Sequence, residues 1–156
     1  MPEIRILPLQ QRPQVLDDIA QWHFNEWQSL YPQDSLQDFR TDLASTMSGD
    51  ILPSTWLLLV DDEVVATASL LRHDLSSYPQ LSPWLANVFV LPQWRGRGLA
   101  KRLIRQVMAN AWQAGVAKLY LFTEDQTALY QSLGWCLWQE DQHQGKAISV
   151  MTAQPG

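Results

Sequence analysis

The hydrophobic positions of the chain recur with two different periods, and the pattern predicts alternating strands and helices. Apolar runs with a period of two indicate strands, whereas apolar positions three and four apart indicate helices. The predicted strands cover residues 4–9, 56–60, 64–71, 84–91, 119–123, 135–140 and 147–152. The predicted helices start at Pro13 and at a cap formed by Asp34 or Ser35, with Gly49 ending the second, and two more cover residues 98–114 and 126–133. The predicted order is β-α-α-β-β-β-α-β-α-β-β.

We expect a single domain over residues 1–156, because no internal repeat, linker or change in composition marks a boundary. Hydrophobic residues make up 46% of the chain and charged residues only 17%, which is typical of a folded domain. The single cysteine, Cys136, stands in the apolar run W-C-L-W, and we expect it to be buried in the core. One cysteine excludes a disulfide framework, and no apolar run approaches the length of a membrane span. We therefore expect a cytoplasmic protein with no membrane partner.

Residues 88–100, V-F-V-L-P-Q-W-R-G-R-G-L-A, predict a strand, a glycine-rich turn and the start of a helix in direct succession. The first amides of a helix have no partner within it, and the helix dipole favours an anion at that end. Gly96 and Gly98 carry no Cβ, so a ligand can approach the backbone closely there. The segment predicts a site for a phosphorylated cofactor.

Basic residues are concentrated at this turn. The chain has 11 basic and 16 acidic residues and a net charge of −5. The segment 95–105 nevertheless contains no acid and five basic residues, namely Arg95, Arg97, Lys101, Arg102 and Arg105. Proteins that bind nucleic acid are usually basic overall and spread the charge along a face. The pattern favours a small polyanion bound at one place, with no nucleic acid as partner.

Three phosphate-binding motifs can be compared with this turn. A P-loop requires G-x-x-x-x-G-K-[ST], which is absent, and a dinucleotide fingerprint requires a third glycine that G-R-G-L-A-K lacks. Residues 95–100, R-G-R-G-L-A, match R/Q-x-x-G-x-G/A, the pyrophosphate signature of the GCN5-related N-acetyltransferases, or GNAT superfamily. Residues 93–98 fit the same loose pattern, but the context V-x-V-x-P-x-x-R-G-x-G favours the register that starts at Arg95.

A second signature extends the resemblance. Residues 128–135, A-L-Y-Q-S-L-G-W, resemble the A-L-Y-x-x-x-G-W signature of the same family, and residues 119–122 look like the strand that precedes it. The two signatures stand in the family's order, with a helix of suitable length between them. The resemblance implies the GNAT fold, a single-domain α/β fold with flanking helices and a mixed, mostly antiparallel sheet. In it the strands at 84–91 and 118–123 would form a parallel pair that splays apart at a bulge.

The resemblance also implies acetyl-coenzyme A as the co-substrate. In this family the backbone amides here at residues 97–100 would hold the pyrophosphate, and the strand at 88–90 would pair with the pantetheine arm. The cofactor-binding residues expected from the resemblance are Val88, Phe89, Val90, Arg95, Gly96, Arg97, Gly98, Leu99, Ala100, Lys101 and Gln126. Tyr130 would be the catalytic acid that protonates the departing thiolate, although a core tyrosine is the alternative. The three histidines share no metal-ligand spacing, so we expect no metal.

The general base is not evident from the sequence. The family often uses a glutamate on the fourth strand, but the strand W-L-A-N-V-F-V has no carboxylate and only Asn87 as a polar residue. The candidates elsewhere are His23, Glu26, His73, Asp74, Glu124 and Asp125. A second departure is Thr123, which stands where the family commonly has an asparagine that holds the pantetheine arm, and Gln126 is a candidate to replace it.

The leading hypothesis is an N-acetyltransferase that acts on a primary amine by direct attack. The acidic balance outside residues 95–105 favours a cationic acceptor such as a polyamine, an aminoglycoside or a basic peptide terminus. A peptide or protein N-terminus is the alternative acceptor, and a non-catalytic acyl-CoA-binding module is the alternative outside the enzymes. A toxin that modifies charged tRNA is disfavoured by the isoelectric point near 5.0. Dimers are frequent in the family, so the resemblance allows a homodimer.

Overall fold

The computed structural model describes residues 2–156, in which seven strands and four helices follow the predicted order. The strands are β1 (Ile4–Pro8), β2 (Ser54–Val60), β3 (Glu63–Leu71), β4 (Trp84–Val90), β5 (Leu119–Thr123), β6 (Cys136–His143) and β7 (Lys146–Ala153). The helices are α1 (Leu16–Trp27), α2 (Leu36–Ala44), α3 (Leu99–Gln113) and α4 (Thr127–Gln131). The strands form one sheet in the order β1-β2-β3-β4-β5-β7-β6. Only β4 and β5 pair in parallel, which confirms the predicted mixed sheet.

The sheet is buried on both faces, which explains the unbroken apolar run in β2. Successive side chains of a strand point to opposite faces. Leu58 belongs to the core cluster packed under α3, whereas Leu57 and Leu59 belong to the cluster packed under α1 and α2. All three residues are 0% exposed. The sheet therefore lies between two helical layers, with α3 and α4 on one side and the N-terminal helices on the other.

Helix α3 packs one apolar stripe on the sheet and turns its basic residues outward. The buried stripe consists of Leu99, Leu103, Ile104, Val107 and Ala111. This spacing of three and four places the side chains on one helical face. Helix α2 starts at a capping box, in which Ser35 and Asp38 accept hydrogen bonds from each other's backbone amides. The structure thus selects Ser35 over Asp34 as the cap.

Several elements differ from their predicted form. Cys136 is exposed, so the expectation of a buried core thiol is wrong. Its strand is at the edge of the sheet, and of the run W-C-L-W only Trp135 turns into the core. At Pro13 the chain makes a short 3₁₀ turn before α1, and another 3₁₀ turn follows α2 before Gly49. The closing hairpin has longer strands than predicted and a turn of only Gln144 and Gly145.

A bulge in β4 separates β4 from β5. Thr67 of β3 pairs with Phe89 and Ser69 pairs with Ala86, so two residues of β4, Asn87 and Val88, lie opposite one residue of β3. Asn87 has a φ of 54°, in the left-handed region that asparagine tolerates better than most residues. The register of β4 with β5 is a single pair, Trp84 with Tyr120. Beyond it the two parallel strands diverge, as the resemblance implied.

Buried and exposed leucines contribute differently to stability, and one substitution at each kind of position tests this. Leu103→Ala removes a side chain that is 0% exposed, whereas Leu137→Ala truncates one that is 49% exposed. We expect the first substitution to lower the free energy of unfolding by about 2–5 kcal/mol and the second by less than about 0.5 kcal/mol. Urea unfolding followed by circular dichroism measures both. Equal losses in the two variants would contradict the assignment of α3 to the core.

Candidate active site

The N-terminus of α3 has the features of an anion-binding site. Its N-cap is Gly98, at a φ of 75°, and the preceding Gly96 has a φ of 78°. Within residues 2–156 no side chain caps the helix, and its first turn contains no acid. A Cβ built at either glycine would meet no atom within 4 Å, so the space in front of the backbone is open. The first amides of α3 are therefore available to a ligand.

The two arginines of the turn fold back onto the protein. Arg95 donates from Nε to the carbonyl oxygen of Val90 over 2.8 Å, and its guanidinium lies 5.6 Å from the centre of the Phe89 ring. Arg97 lies 4.7 Å over the ring of Trp94. These contacts hold the turn against the end of β4. The side chains thus shape the turn, and the backbone amides remain the groups that face the open space.

Three adjoining cavities lead from this turn into the molecule. The first, which we call the anion cavity, has a volume of ≈ 430 Å³ and is lined by the turn, β4 and α4. The second, the splay cavity, has a volume of ≈ 530 Å³ and lies between the diverging ends of β4 and β5. The third, the acidic cavity, has a volume of ≈ 470 Å³ and lies between α1, α2 and the end of β3.

Shared lining residues show that neighbouring cavities lie side by side, and we call this series of three cavities the path. The anion and splay cavities share Glu26, Val88, Arg95, Gln126 and Tyr130. The splay and acidic cavities share Tyr31, Asp74 and Asn87. The path therefore starts at the helix terminus, passes through the opening between the parallel strands and ends among the N-terminal helices.

The structure brings most of the predicted site residues together. The anion cavity is lined by Val88, Phe89, Val90, Arg95, Gly96, Gly98, Leu99, Ala100, Lys101, Gln126 and Tyr130. Arg97 is the exception, because its side chain lies over Trp94 and lines a separate surface depression with Lys101, Arg102 and Arg105. The roles of these residues toward a cofactor stay predictions, but their grouping around one cavity is established.

Tyr130 is buried where the anion and splay cavities meet. It is 7% exposed, and its ring packs edge-on against Trp135 at 6.0 Å between centroids. Burial raises the pKa of Tyr130 to about 12, because the phenolate is poorly solvated there. The phenol therefore keeps its proton at neutral pH and can donate it into the path.

Gln126 also borders two cavities, and its contacts are local. Its backbone amide donates to Oγ1 of Thr123 over 3.1 Å. Its side-chain amide donates to Asp125 over 3.2 Å. Thr123 thus stabilises the connection that leads into α4, and Gln126 stands at the mouth of the path.

All six candidate bases border the path, but in different settings. His23 and His73 line the acidic cavity, Asp74 lines the acidic and splay cavities, and Glu26, Glu124 and Asp125 line the splay cavity. His23 is 3% exposed, and burial lowers its pKa to about 4, so its ring is neutral at pH 7. Burial raises the pKa of the Asp74 carboxyl to about 7.

A buried chain of hydrogen bonds connects His23 to the β4 bulge. Thr67 donates from Oγ1 to the carbonyl oxygen of Asn87 over 3.2 Å, and Nε2 of His23 lies 2.9 Å from the same Oγ1. Because the hydroxyl proton is used toward Asn87, the Thr67 oxygen accepts from Nε2–H of His23. The neutral imidazole and Thr67 together fix the carbonyl group of Asn87, the residue of the bulge that has a positive φ.

The acidic cavity contains residues that sequence reasoning missed. Tyr31, Asp34, Asp42 and Arg72 line it together with Asp74 and Asn87. The pKa of Tyr31 is raised by burial and by the charges of Asp74 and Asp34. The pKa of Asp42 is raised by burial and by the charges of Asp34 and Asp38. Asp34 precedes the cap of α2 and Asp42 lies within α2, so helical spacing gave no signal that groups the two carboxyl groups.

The described residues give no sign of two other kinds of site. No group of three or more His, Cys, Asp or Glu side chains among residues 2–156 is arranged to hold a metal ion. Over the same residues, no helix combines the length and apolar character that crossing a membrane requires.

Comparison with known proteins identifies the class of this fold and site. The family model "Acetyltransferase (GNAT) family" matches residues 16–135. The chain belongs to the GNAT family of acetyltransferases, whose members use acetyl-coenzyme A. A search of curated proteins found no significant match.

Solved structures of low sequence identity share the fold. A GNAT-family acetyltransferase from Streptococcus pneumoniae has a TM-score of 0.72 and 14% identity, over 99% of this chain and 100% of that one. An aminoglycoside 6'-acetyltransferase type Ii has a TM-score of 0.73 and 16% identity, over 97% and 96% of the two chains. An N-acetylglutamate synthase from Neisseria gonorrhoeae, in complex with coenzyme A and N-acetyl-glutamate, has a TM-score of 0.69 and 16% identity, over 97% and 35%.

The buried His23 makes stability depend on pH in a defined direction. Its pKa is about 4 in the folded chain and 6.5 in an unfolded one, so below pH 6.5 the unfolded state binds the extra proton. This contribution to stability is complete above pH 6.5 and is lost as the pH falls toward 4. We expect His23→Gln to remove about 2 kcal/mol of the stability loss between pH 7 and pH 5, measured by urea unfolding.

Thr67→Val is the control for this prediction. It removes the hydrogen bond to Nε2 but leaves the imidazole buried, so the wild-type pH dependence should persist at a lower stability. If the free energy of unfolding of His23→Gln depended on pH as that of the wild type does, groups other than His23 would be the cause of that dependence.

Proposed function

We propose that the chain is an N-acetyltransferase that transfers the acetyl group of acetyl-coenzyme A to a primary amine. The observation that carries the proposal is the path of three cavities, which joins an anion-binding helix terminus to an acidic cavity and passes the buried phenol of Tyr130. Membership of the GNAT family supports the reaction class. The acceptor and the role of each residue are part of the proposal.

The anion end of the path suits the pyrophosphate of coenzyme A. The amides of Arg97–Ala100 would hold it, with Gly98 at a positive φ allowing the closest approach. Lys101 lines the same cavity and would add charge. An anion of this size is favoured by unpaired amides, the helix dipole and nearby cations acting together.

The end of β4 beyond the bulge suits the pantetheine arm. Val88, Phe89 and Val90 line the anion cavity on the side from which β5 has diverged. An extended chain with amide groups can add to such an open strand through main-chain hydrogen bonds. The arm would then lead from the pyrophosphate past Tyr130 into the splay cavity.

The chemistry at the centre of the path needs two proton transfers. The bound thioester supplies the acetyl carbon that a neutral amine attacks. The amine must first lose a proton, and the sulfur must gain one when the C–S bond breaks. Tyr130 is protonated at pH 7 and borders the cavities on both sides of the reaction centre, so it would be the acid that protonates the thiolate.

The far end of the path favours a cationic acceptor. Asp34, Asp42 and Asp74 line the acidic cavity, against a single Arg72. Acidic walls raise the local concentration of ammonium groups and steer them inward. Polyamines, aminoglycosides and basic peptide termini share this chemistry. A peptide or protein N-terminus is the alternative acceptor within the same mechanism.

Two glycine variants test the anion end. Gly98→Ala and Gly115→Ala each put a Cβ at a positive φ, of 75° and 94°, but only Gly98 faces the anion cavity. We expect Gly98→Ala to weaken acetyl-CoA binding by about tenfold or more, which is about 1.4 kcal/mol, because the Cβ occupies the approach to the amides. Gly115→Ala should bind as the wild type does. Calorimetric titration with acetyl-CoA measures both, and equal affinities would contradict the location.

Two tyrosine variants separate an enzyme from a binding module. Tyr130→Phe removes the proposed acid, whereas Tyr120→Phe removes a hydroxyl outside the three cavities. We expect Tyr130→Phe to lower kcat by about 10²–10⁴-fold with acetyl-CoA affinity unchanged, and Tyr120→Phe to keep its turnover. The assay is thiol release from acetyl-CoA with spermidine, kanamycin, lysine or a short peptide. If Tyr130→Phe kept the turnover of the wild type, the assignment of Tyr130 as the acid would be refuted. If the wild-type chain bound acetyl-CoA but released no thiol with any acceptor, a non-catalytic acyl-CoA-binding module would be favoured.

A further inference from the structure

We propose that Asp74 is the general base that takes the proton from the acceptor amine. The inference rests on the proposed function and deepens it, because the sequence leaves the base open among six residues. Asp74 follows the end of β3 and lines both the splay cavity and the acidic cavity. Only Tyr31 and Asn87 share that position with it.

The position of Asp74 is where the two substrates would meet. Tyr31, Asp74 and Asn87 border both the acidic cavity, where the acceptor would be held, and the splay cavity. The acyl end of the cofactor would reach the same cavity from the opposite side, past Tyr130. Among these four residues Asp74 has the one carboxyl group. It therefore borders the amine side of the reaction centre, while the proposed acid borders the thioester side.

The setting of the Asp74 side chain suits a base. It is half-buried, and among residues 2–156 no side chain or backbone group pairs with it by a hydrogen bond or an ion pair. Burial raises the pKa of its carboxyl to about 7, which matches the pH at which it would have to accept and release a proton. An unpaired carboxylate gains from an ammonium partner and can take its proton.

The other buried candidate, His23, is already engaged. Nε2–H of His23 is used toward Thr67, and its pKa near 4 makes it a poor proton acceptor at pH 7. It also lies in the acidic cavity and does not reach the splay cavity.

The remaining candidates are exposed or already paired. Glu124 forms an ion pair with Lys146 at 3.9 Å, and Asp125 accepts from the Gln126 side chain. Glu26 is exposed and lines the anion and splay cavities but not the acidic cavity. His73 is exposed and borders only the acidic cavity. Among the six candidates, Asp74 is therefore the one that has no hydrogen-bond or ion-pair partner within residues 2–156 and that lines both the splay and the acidic cavity.

The proton and electron balance of the step is complete. The ammonium loses one proton to Asp74, and the freed lone pair of nitrogen forms the bond to the acetyl carbon. The C–S bond breaks with its electron pair on sulfur, which takes a proton from Tyr130. The nitrogen loses its second proton to water, solvent restores the phenol, and Asp74 releases its proton once the product leaves. One amine cation and one thioester become one amide, one thiol and one released proton.

The charged surroundings of Asp74 bear on its titration. From the acidic cavity it faces His23, Tyr31, Asp34, Asp42, Arg72 and His73. From the splay cavity it faces Glu26, Arg95, Glu124, Asp125, Tyr130 and Lys146. Burial is the cause that raises the pKa of the Asp74 carboxyl to about 7 and keeps it protonated at lower pH. We expect kcat/KM to rise with pH up to about 7 as the carboxylate forms.

The test compares Asp74→Asn with Asp42→Asn and Asp74→Glu across pH 5.5–9. The readouts are thiol release with spermidine and with kanamycin, and acetyl-CoA affinity by calorimetry. Asp74→Asn should lower kcat by about a hundredfold or more and lose the rise in kcat/KM near pH 7. Its acetyl-CoA affinity should stay within about twofold, which also verifies that it is folded. Asp74→Glu should retain the pH-dependent rise. Asp42→Asn should raise the KM for the acceptor and keep the rise.

Two results would overturn the inference in distinguishable ways. If wild-type turnover is seen and Asp74→Asn keeps the rise near pH 7, or stays within about threefold of wild-type kcat, Asp74 is not the base and the proposed function stands. If the wild-type chain binds acetyl-CoA but releases no thiol with these two amines, with lysine or with a short peptide, the proposed function fails and the inference fails with it.

Discussion

The departure of β4 from β5 is the constraint on which the site depends. A parallel pair that stayed in register would close the sheet and leave no room between the strands. Here the bulge at Asn87 and Val88 limits the pairing to Trp84 with Tyr120. The gap it opens contains the splay cavity, and the strand it frees lines the anion cavity. The opening thus provides the cavity between the helix terminus of α3 and the acidic cavity.

The bulge in β4 is stabilised by a residue of helix α1, and the burial of that residue makes the stability of the fold depend on pH. The positive φ of Asn87 is strained, and its carbonyl is fixed by Thr67, which is fixed in turn by His23 of α1. Burying His23 keeps it neutral, so acid destabilises the fold through this residue. The N-terminal helices therefore have two roles. Helix α1 stabilises the bulge through His23, and helices α1 and α2 line the acidic cavity.

The sequence predicts the parts of this molecule that depend on short segments. The strand, turn and helix from Val88 onward are local, so their period, glycines and charges suffice to predict an anion site. The acidic cavity is different, because Tyr31, Asp74 and Asn87 are far apart in the chain and meet only through the sheet order. Cys136 shows the same limit, since an apolar run cannot reveal that its strand lies at the edge. Likewise, the burial that shifts the pKa of Asp74 is a property of the assembled fold.

The two ends of the path differ in charge. Cations cluster at the helix terminus in residues 95–105, while Asp34, Asp42 and Asp74 line the opposite end. Opposite potentials at the two ends of a cleft attract ligands of opposite charge to different entrances. An anionic cofactor and a cationic acceptor would then approach the splay cavity without competing for one mouth. Five of the 11 basic residues lie in residues 95–105, where there is no acid, so the excess of acids that gives the net charge of −5 lies entirely in the rest of the chain.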